Sequence, residues 1–128
     1  MNKATTLGIT VSVVARYEPQ HSRPHLQRYV FSYHITIENH SNATVQLLRR
    51  HWHIVDAAGM RREVEGPGVI GQQPILDPGE SHSYSSWCPL STPVGKMYGT
   101  FLMVRQVDGR LFKVCIPEFA LEAPAIWN

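Results

Sequence analysis

An all-β sandwich is the fold class this sequence predicts, and three observations predict it. Apolar side chains recur at every second position in segment after segment, the period that sets one face of a strand against a core and the other in water. Clusters of Gly, Pro, Asn and Asp separate those segments at short intervals. No stretch carries the apolar period of an amphipathic helix. At 128 residues the chain can bury one core without metals or crosslinks, and a single domain over residues 1–128 is expected.

The first strand carries Leu7, Ile9, Val11 and Val13 on one face. Tyr29, Phe31, Tyr33, Ile35 and Ile37 form a second, stronger face, with Ser32, His34, Thr36 and Glu38 directed the other way. Asn39-His40-Ser41-Asn42 then supplies side chains that bond their own backbone in turns. A third strand from about Val45 to Asp56 places Leu48, Trp52 and Ile54 on its core face. Arg50 falls in the same register, so either its guanidinium finds a partner there or a bulge shifts the register. Ala58-Gly59 makes a turn, and Met60 to Glu65 a short, charged strand suited to a sheet edge.

Residues 66 to 80 hold Gly66, Pro67, Gly68, Gly71, Pro74, Pro78 and Gly79, a density that defines a long crossing loop of the kind that often carries function. His82 to Trp87 reads as a fifth strand, and Pro89, Thr92, Pro93 and Gly95 interrupt the pattern after it. Tyr98 to Val107 and Leu111 to Glu118 close the chain around Asp108-Gly109. That dipeptide predicts a two-residue type I′ turn, the tightest in the chain. About seven antiparallel strands so spaced describe an immunoglobulin or fibronectin type III-like β-sandwich, with a closed barrel as the alternative. Trp52 stands where such sandwiches bury a tryptophan between their sheets.

Charge and cysteine content narrow the function classes. The net charge of +2, from 12 Lys and Arg against 10 Asp and Glu, is too slight to argue for nucleic acid. Arg49, Arg50, Arg61 and Arg62, with His51 and His53 between them, fall close enough in sequence to form one basic face, or simply a solvated strand surface. Cys88 and Cys115 fall in the fifth and seventh strands, which disfavours an antibody-type disulfide, and free thiols are expected. No secretory segment and no membrane-spanning apolar run is visible, so a cytoplasmic location with no membrane contact is expected.

Residues 66 to 71, Gly66-Pro67-Gly68-Val69-Ile70-Gly71, have the spacing of a phosphate-cradling glycine loop. Gly66, Gly68 and Gly71 would let amides approach a phosphate or pyrophosphate, and Arg49 or Arg50 would add charge-assisted bonds. A dinucleotide fingerprint, however, needs a helix directly after the loop, and Gln72-Gln73-Pro74 follows instead. Pro67 removes one amide and no Walker lysine-serine pair is present, so the glycines are read as supplying turn geometry.

His51-Trp52-His53 puts two imidazoles on one strand face. A metal would need a third ligand, recruited by folding from His82, Cys88, Glu63 or Glu65, and no Cys-x-x-Cys or His-Glu-x-x-His spacing is present. No metal and no other cofactor is therefore assigned. Ser85, Ser86 and Cys88 lie close in sequence, but no Gly-x-Ser-x-Gly elbow surrounds them. The carboxylates are dispersed, with Glu63 and Glu65 the one close pair, so no catalytic residue is assigned. Trp127, in a terminal segment with no strand around it, is read as frayed or docked against the domain or a second copy of the chain.

Several blocks in linked order carry a family resemblance: Tyr33-His34-Ile35-Thr36-Ile37-Glu38-Asn39, Leu48-Arg49-Arg50-His51-Trp52-His53-Ile54, Glu65-Gly66-Pro67-Gly68-Val69-Ile70-Gly71-Gln72-Gln73-Pro74 and Thr92-Pro93-Val94-Gly95-Lys96-Met97. Pro78-Gly79-Glu80, Tyr84-Ser85-Ser86 and Phe112-Lys113-Val114-Cys115-Ile116-Pro117 extend it. The chain resembles the bacterial ApaG family over nearly its whole length. The resemblance implies a fibronectin type III-like sandwich that occurs alone in bacteria and as a domain of larger eukaryotic proteins, including some F-box proteins. That distribution favours a non-enzymatic module binding a protein partner, a homodimer included. The family's association with the neighbourhood of dinucleoside polyphosphate hydrolysis and with divalent-cation handling implies the alternative, a phosphate, pyrophosphate or dinucleoside polyphosphate ligand at Gly66–Gly71. The loop from Gly66 to Gly79 and the strand from Arg49 to His53 are the expected contact region.

Overall fold

The computed structural model describes residues 2–124, so the terminal Trp127 lies outside the described residues. Nine strands follow in chain order: β1 (Asn2–Thr6), β2 (Ile9–Tyr17), β3 (Tyr29–Asn39), β4 (Val45–Asp56), β5 (Arg61–Pro67), β6 (Ile75–Leu76), β7 (Ser81–Leu90), β8 (Val94–Arg105) and β9 (Arg110–Glu122). Two single 3-10 turns, Pro19–His21 and Pro24–Leu26, link β2 to β3. No helix among the described residues is long and apolar enough to cross a membrane. One sheet has the order β1-β2-β3-β7 and the other β5-β4-β8-β9, with the short β6 also paired to β4. All pairings are antiparallel. The two sheets pack face to face as the expected sandwich, and the closed-barrel alternative is set aside by the separate strand orders.

The period of two is realised at the core. Ile9, Val11 and Val13 of β2 and Phe31, Tyr33, Ile35 and Ile37 of β3 meet Val45, Leu47, Trp52 and Ile54 of β4 and Met97, Phe101 and Met103 of β8 in one buried cluster. Trp52 is buried as its position predicts, with the Tyr33 ring edge-on to it at 5.4 Å. Burying a side chain of that size contributes on the order of 2–3 kcal/mol of hydrophobic stabilisation.

Three local expectations are corrected. Leu7 is not in a strand: Leu7 (φ 49°) and Gly8 (φ 82°) are the central residues of a two-residue hairpin joining β1 to β2, and Leu7 points to solvent. The alternation of Leu7 with Ile9 hides that turn, because a turn leucine fits the strand pattern equally well. Asp108-Gly109 is not a two-residue turn, since β8 and β9 close at Arg105↔Arg110 around a four-residue loop, Gln106 to Gly109. Asp108 has ordinary negative φ, and the loop is held instead by Gly109 N–H donating to the Arg105 carbonyl and by a forked Arg105–Asp108 ion pair. Leu48 leaves the core face to Leu47, because the β4–β8 register shifts between Leu47 and Arg49.

The two open edges of the sandwich differ. At the β1/β9 edge, Asn2 Nδ2 donates to the Glu118 carbonyl (2.7 Å) and Cys115 N–H to Thr6 Oγ1 (3.1 Å), which ties the sheets together. At the β5/β7 edge, Arg62 crosses the gap by donating to the Pro89 carbonyl and to Cys88 Sγ. The sequence features singled out above converge on this second edge.

Candidate functional site

The bulge in β4 builds the site. By adding a residue at Leu48, it turns Arg50, Trp52 and Ile54 inward while Arg49, His51 and His53 face out. It also re-aims the Leu48 carbonyl, which accepts from Gly68 N–H (2.8 Å) and from Gln73 Nε2 (3.0 Å). Leu47 N–H donates to the Pro74 carbonyl (3.0 Å). The glycine loop is thus pinned at both ends to the strand that carries the basic residues.

The loop itself is a closed turn. Gly68 N–H is taken by Leu48, and Val69 and Gln72 exchange a mutual pair of backbone bonds (2.8 and 3.0 Å). Between them Ile70 (φ 47°) and Gly71 (φ 73°) both have positive φ, the signature of a type I′ turn. Gly68 also has positive φ (63°), and a Cβ there would stand 2.4 Å from the Gln72 carbonyl oxygen. Gly66 lies within β5, opposite Arg50, and has no positive φ. Its missing side chain makes room for the Arg50 guanidinium, whose Nη1 would be 3.1 Å from a Cβ. Pro67 lacks an amide, Gly68 N–H is spent on β4 and those of Val69 and Gln72 on each other, which leaves the amides of Ile70 and Gly71 at the tip of the turn.

The basic cluster divides between two faces. Arg50 and Arg62 share the inner side of the β4–β5 ribbon with Trp52 and Ile54, whereas Arg49, His51, His53 and Arg61 share the outer side with Glu63 and Glu65. Outside, Arg49 pairs with Glu65 (3.4 Å) and Arg61 with Glu63 (3.5 Å), so that face is a mixed-charge network rather than the single basic face expected. His51 Nε2 and His53 Nδ1 both face the Glu63 carboxylate, at 3.2 and 3.5 Å. The His53 ring stacks on Tyr98 at 4.9 Å. The hydrogen bond from His51, together with the nearby His53 and Arg61, holds the Glu63 carboxyl below the usual carboxylate range. Glu63 is thus the third ligand type that the paired histidines need, and the three donor atoms lie within 4.8 Å of one another, a span that a zinc-like ion could close. Arg61 shares the same carboxylate at 3.5 Å, while His53 Nδ1 is buried without a hydrogen-bond partner.

Inside, Arg50 Nη1 donates to the carbonyls of Pro67 (2.9 Å) and Gly68 (3.1 Å). It has no carboxylate partner among the described residues, unlike Arg49, Arg61 and Arg105. Beyond the guanidinium a cavity of about 330 Å³ opens between the sheets, walled by Tyr33, Trp52, Tyr84 and Ser86 and rimmed by Pro67, Val69, Ile70 and Gly71. Burial raises the Tyr33 phenol above its usual range, while Ser86 and Arg50 pull the other way. Burial raises the Tyr84 phenol further, with Tyr33 adding to the rise and Arg50 opposing it.

Sequence reasoning did not single out Tyr33, Tyr84 or Ser86 as site residues. The one signal for them was an arginine in a core-facing register, which implies polar atoms opposite it. The serine and thiol groups form no catalytic set among the described residues. Ser85 Oγ meets His34 Nδ1 at 2.8 Å on an exposed face, but no carboxylate orients that imidazole. Cys88 is buried and its thiol pushed up by that burial, against the lowering effect of Arg62.

Comparison with known proteins agrees with this architecture. A family model described as the ApaG domain matches residues 19–105. A protein named ApaG from Brucella anthropi is 51% identical over 124 residues, covering 97% of this chain and 95% of that protein. One of the same name from Mesorhizobium japonicum is 50% identical over 124 residues with the same coverage. A crystal structure of the ApaA protein from Bordetella pertussis superposes with a TM-score of 0.88 at 47% identity, covering 92% of this chain and 95% of that one.

Proposed function

The chain belongs to the ApaG domain family, and from that premise we propose that it is a non-enzymatic, fibronectin type III-like module that binds a protein partner through the Gly66–Gly79 loop and the outer face of Arg49–His53. The observation that carries this reading is the tip of the glycine turn. Ile70 is held there between the mutually bonded Val69 and Gln72 yet leaves 62% of its surface in water, and Ile75 on the same loop leaves 56%. Apolar anchors on a turn that follows a charged strand face carrying Arg49 and Glu65 have the composition of a recognition surface, because the partner gains burial against a preformed turn. β5 is also an edge strand, exposed along its length except at Gly66, and so adds an accessible rim.

Phosphate or pyrophosphate binding by the loop backbone has weaker support, since the amides of Gly68, Val69 and Gln72 already have partners and only those of Ile70 and Gly71 are left at the tip. The module is proposed to act in the cytoplasm, in keeping with two free thiols on separate strands. A photoreactive amino acid at position 70 tests the contact face against one at Leu111, which is equally apolar and 58% exposed. One adduct of defined mass, formed from position 70 and lost in the Arg49→Glu variant, is the expected result; twice the chain mass would identify the partner as a second copy. Equal, diffuse crosslinking from both positions would contradict the assignment.

A further inference from the structure

The cavity behind the glycine turn holds two polar groups whose needs are unmet by the protein. The Tyr84 hydroxyl is buried and has no hydrogen-bond partner, on a residue only 9% exposed. Arg50, half-buried at the same cavity, spends Nη1 on two carbonyls, and neither Nη2 nor Nε has a partner among the described residues. An unpaired buried hydroxyl and an arginine without a carboxylate are each destabilising, and both are relieved by the same thing, an acceptor oxygen carrying negative charge.

We infer that the pocket between Arg50 and Tyr84 is a binding site for a carboxylate carried on a small apolar or aromatic body. Arg50 is the single formal charge among the lining residues, so a monoanion balances the site, whereas a phosphate dianion or pyrophosphate would leave excess negative charge against the core. A planar carboxylate matches the free Nε–Nη2 edge of the guanidinium as a fork. Tyr84 donates to the same oxygens, with Tyr33 and Ser86 beside it as further hydroxyls. The indole of Trp52 and the side chain of Ile70 supply apolar wall and rim. A volume of about 330 Å³ suits a ligand the size of an aromatic acid. Arg50 and Trp52 reach the site from the inner side of the ribbon and Tyr33, Tyr84 and Ser86 from the facing sheet, so it shares Ile70 with the proposed contact loop but none of Arg49, His51 or His53.

The test is a titration of the purified full chain followed by amide and tyrosine-ring resonances, with benzoate as the probe for a free aromatic acid and N-acetylphenylalanine for the carboxyl terminus of a polypeptide. Sodium phosphate and sodium chloride at matched ionic strength are the controls. Saturable shifts at Val69, Gly71 and Tyr84 are expected, with a dissociation constant on the order of 1 mM for so small a ligand. Tighter binding of N-acetylphenylalanine than of benzoate would assign the carboxylate to a polypeptide, and the reverse to a free acid. Tyr84→Phe should weaken the ligand about tenfold, the usual consequence of deleting one bond to a charged group, while leaving the melting temperature unchanged or higher. Arg50→Gln should abolish the shifts; if that variant does not fold, Tyr84→Phe decides alone. Shifts no larger than those from chloride, equal affinity in wild type and Tyr84→Phe, or phosphate binding tighter than either carboxylate would overturn the inference.

Discussion

Gly66 and Arg50 are cross-strand partners, and a Cβ on Gly66 would come within 3.1 Å of Nη1 and 3.3 Å of Nη2 of the Arg50 guanidinium. The missing side chain at Gly66 is therefore what leaves room for the guanidinium. Because the crowded atoms are the far end of a flexible side chain, Gly66→Ala should displace the guanidinium at a cost of no more than about 1 kcal/mol in stability. Carboxylate affinity should nevertheless fall, since Arg50 loses its place. A denaturant melt paired with a benzoate titration checks both halves; unchanged affinity would mean that Arg50 does not need the space.

Gly68 and Gly71 should separate cleanly when each is replaced by alanine. At Gly68 a Cβ meets the Gln72 carbonyl oxygen at 2.4 Å, a backbone atom that cannot move without breaking the Val69–Gln72 pair, whereas at Gly71 nothing lies within 4 Å. Gly71→Ala should cost about 1 kcal/mol, from positive φ alone, and Gly68→Ala clearly more. Urea unfolding of the two variants would show this order, and equal costs would refute the steric account.

Trp52→Ala should cost about 3–5 kcal/mol, because it empties a site packed by Tyr33 and Phe119. A loss below about 1 kcal/mol in urea melts would be incompatible with its burial.

Acid should weaken the fold through two exposed carboxylates. Glu63 is held below its usual range chiefly by the bond from His51, and Asp108 is brought down to about 2 chiefly by the bond from Arg105. A carboxyl whose pKa is depressed in the folded state adds stability that is complete above its unfolded value and is lost as the pH falls through the folded one. For Asp108 the loss should run from about pH 4 down to about pH 2. Asp108→Asn should flatten the decline of melting temperature across that window, and an unaltered slope would show that the ion pair is not coupled to folding.

The two thiols should differ in reactivity. Cys115 is exposed, whereas Cys88 is buried, its thiol raised by that burial and contacted by Arg62. Native protein should take up one equivalent of a thiol reagent quickly at Cys115, and unfolded, unreduced protein should take up a second at Cys88. Failure to label two thiols after unfolding would point to oxidation.

The sandwich was legible because the period of two is enforced by burial: Phe31, Tyr33, Ile35 and Ile37 can all reach one core only if the strand keeps its register. The bulge in β4 was not, because Leu47 and Leu48 are both leucine and either could fill the core-facing position. Arg50 in an apolar register offered a partner or a bulge as alternatives, and the structure has the bulge two residues earlier as well as partners for the guanidinium in the Pro67 and Gly68 carbonyls. Its surroundings were hidden for another reason. Tyr33 and Ser86 become cross-strand neighbours only through the β3–β7 pairing, and Tyr84 reaches Arg50 only across the gap between sheets. Glu63 was recognisable as a candidate third partner for His51 and His53, but its approach to them depends on the β4–β5 register, whereas Arg61 shares its face simply by lying two residues away on β5.

The proposed function makes the glycine turn an element of side-chain recognition in place of a phosphate cradle. Calorimetric titration of the purified protein with a dinucleoside polyphosphate at low salt tests it most directly, since low salt favours any phosphate contact. No saturable heat is expected at micromolar to submillimolar concentration in the wild type. Micromolar binding, abolished by Gly68→Ala in a variant that melts like the wild type, would contradict it.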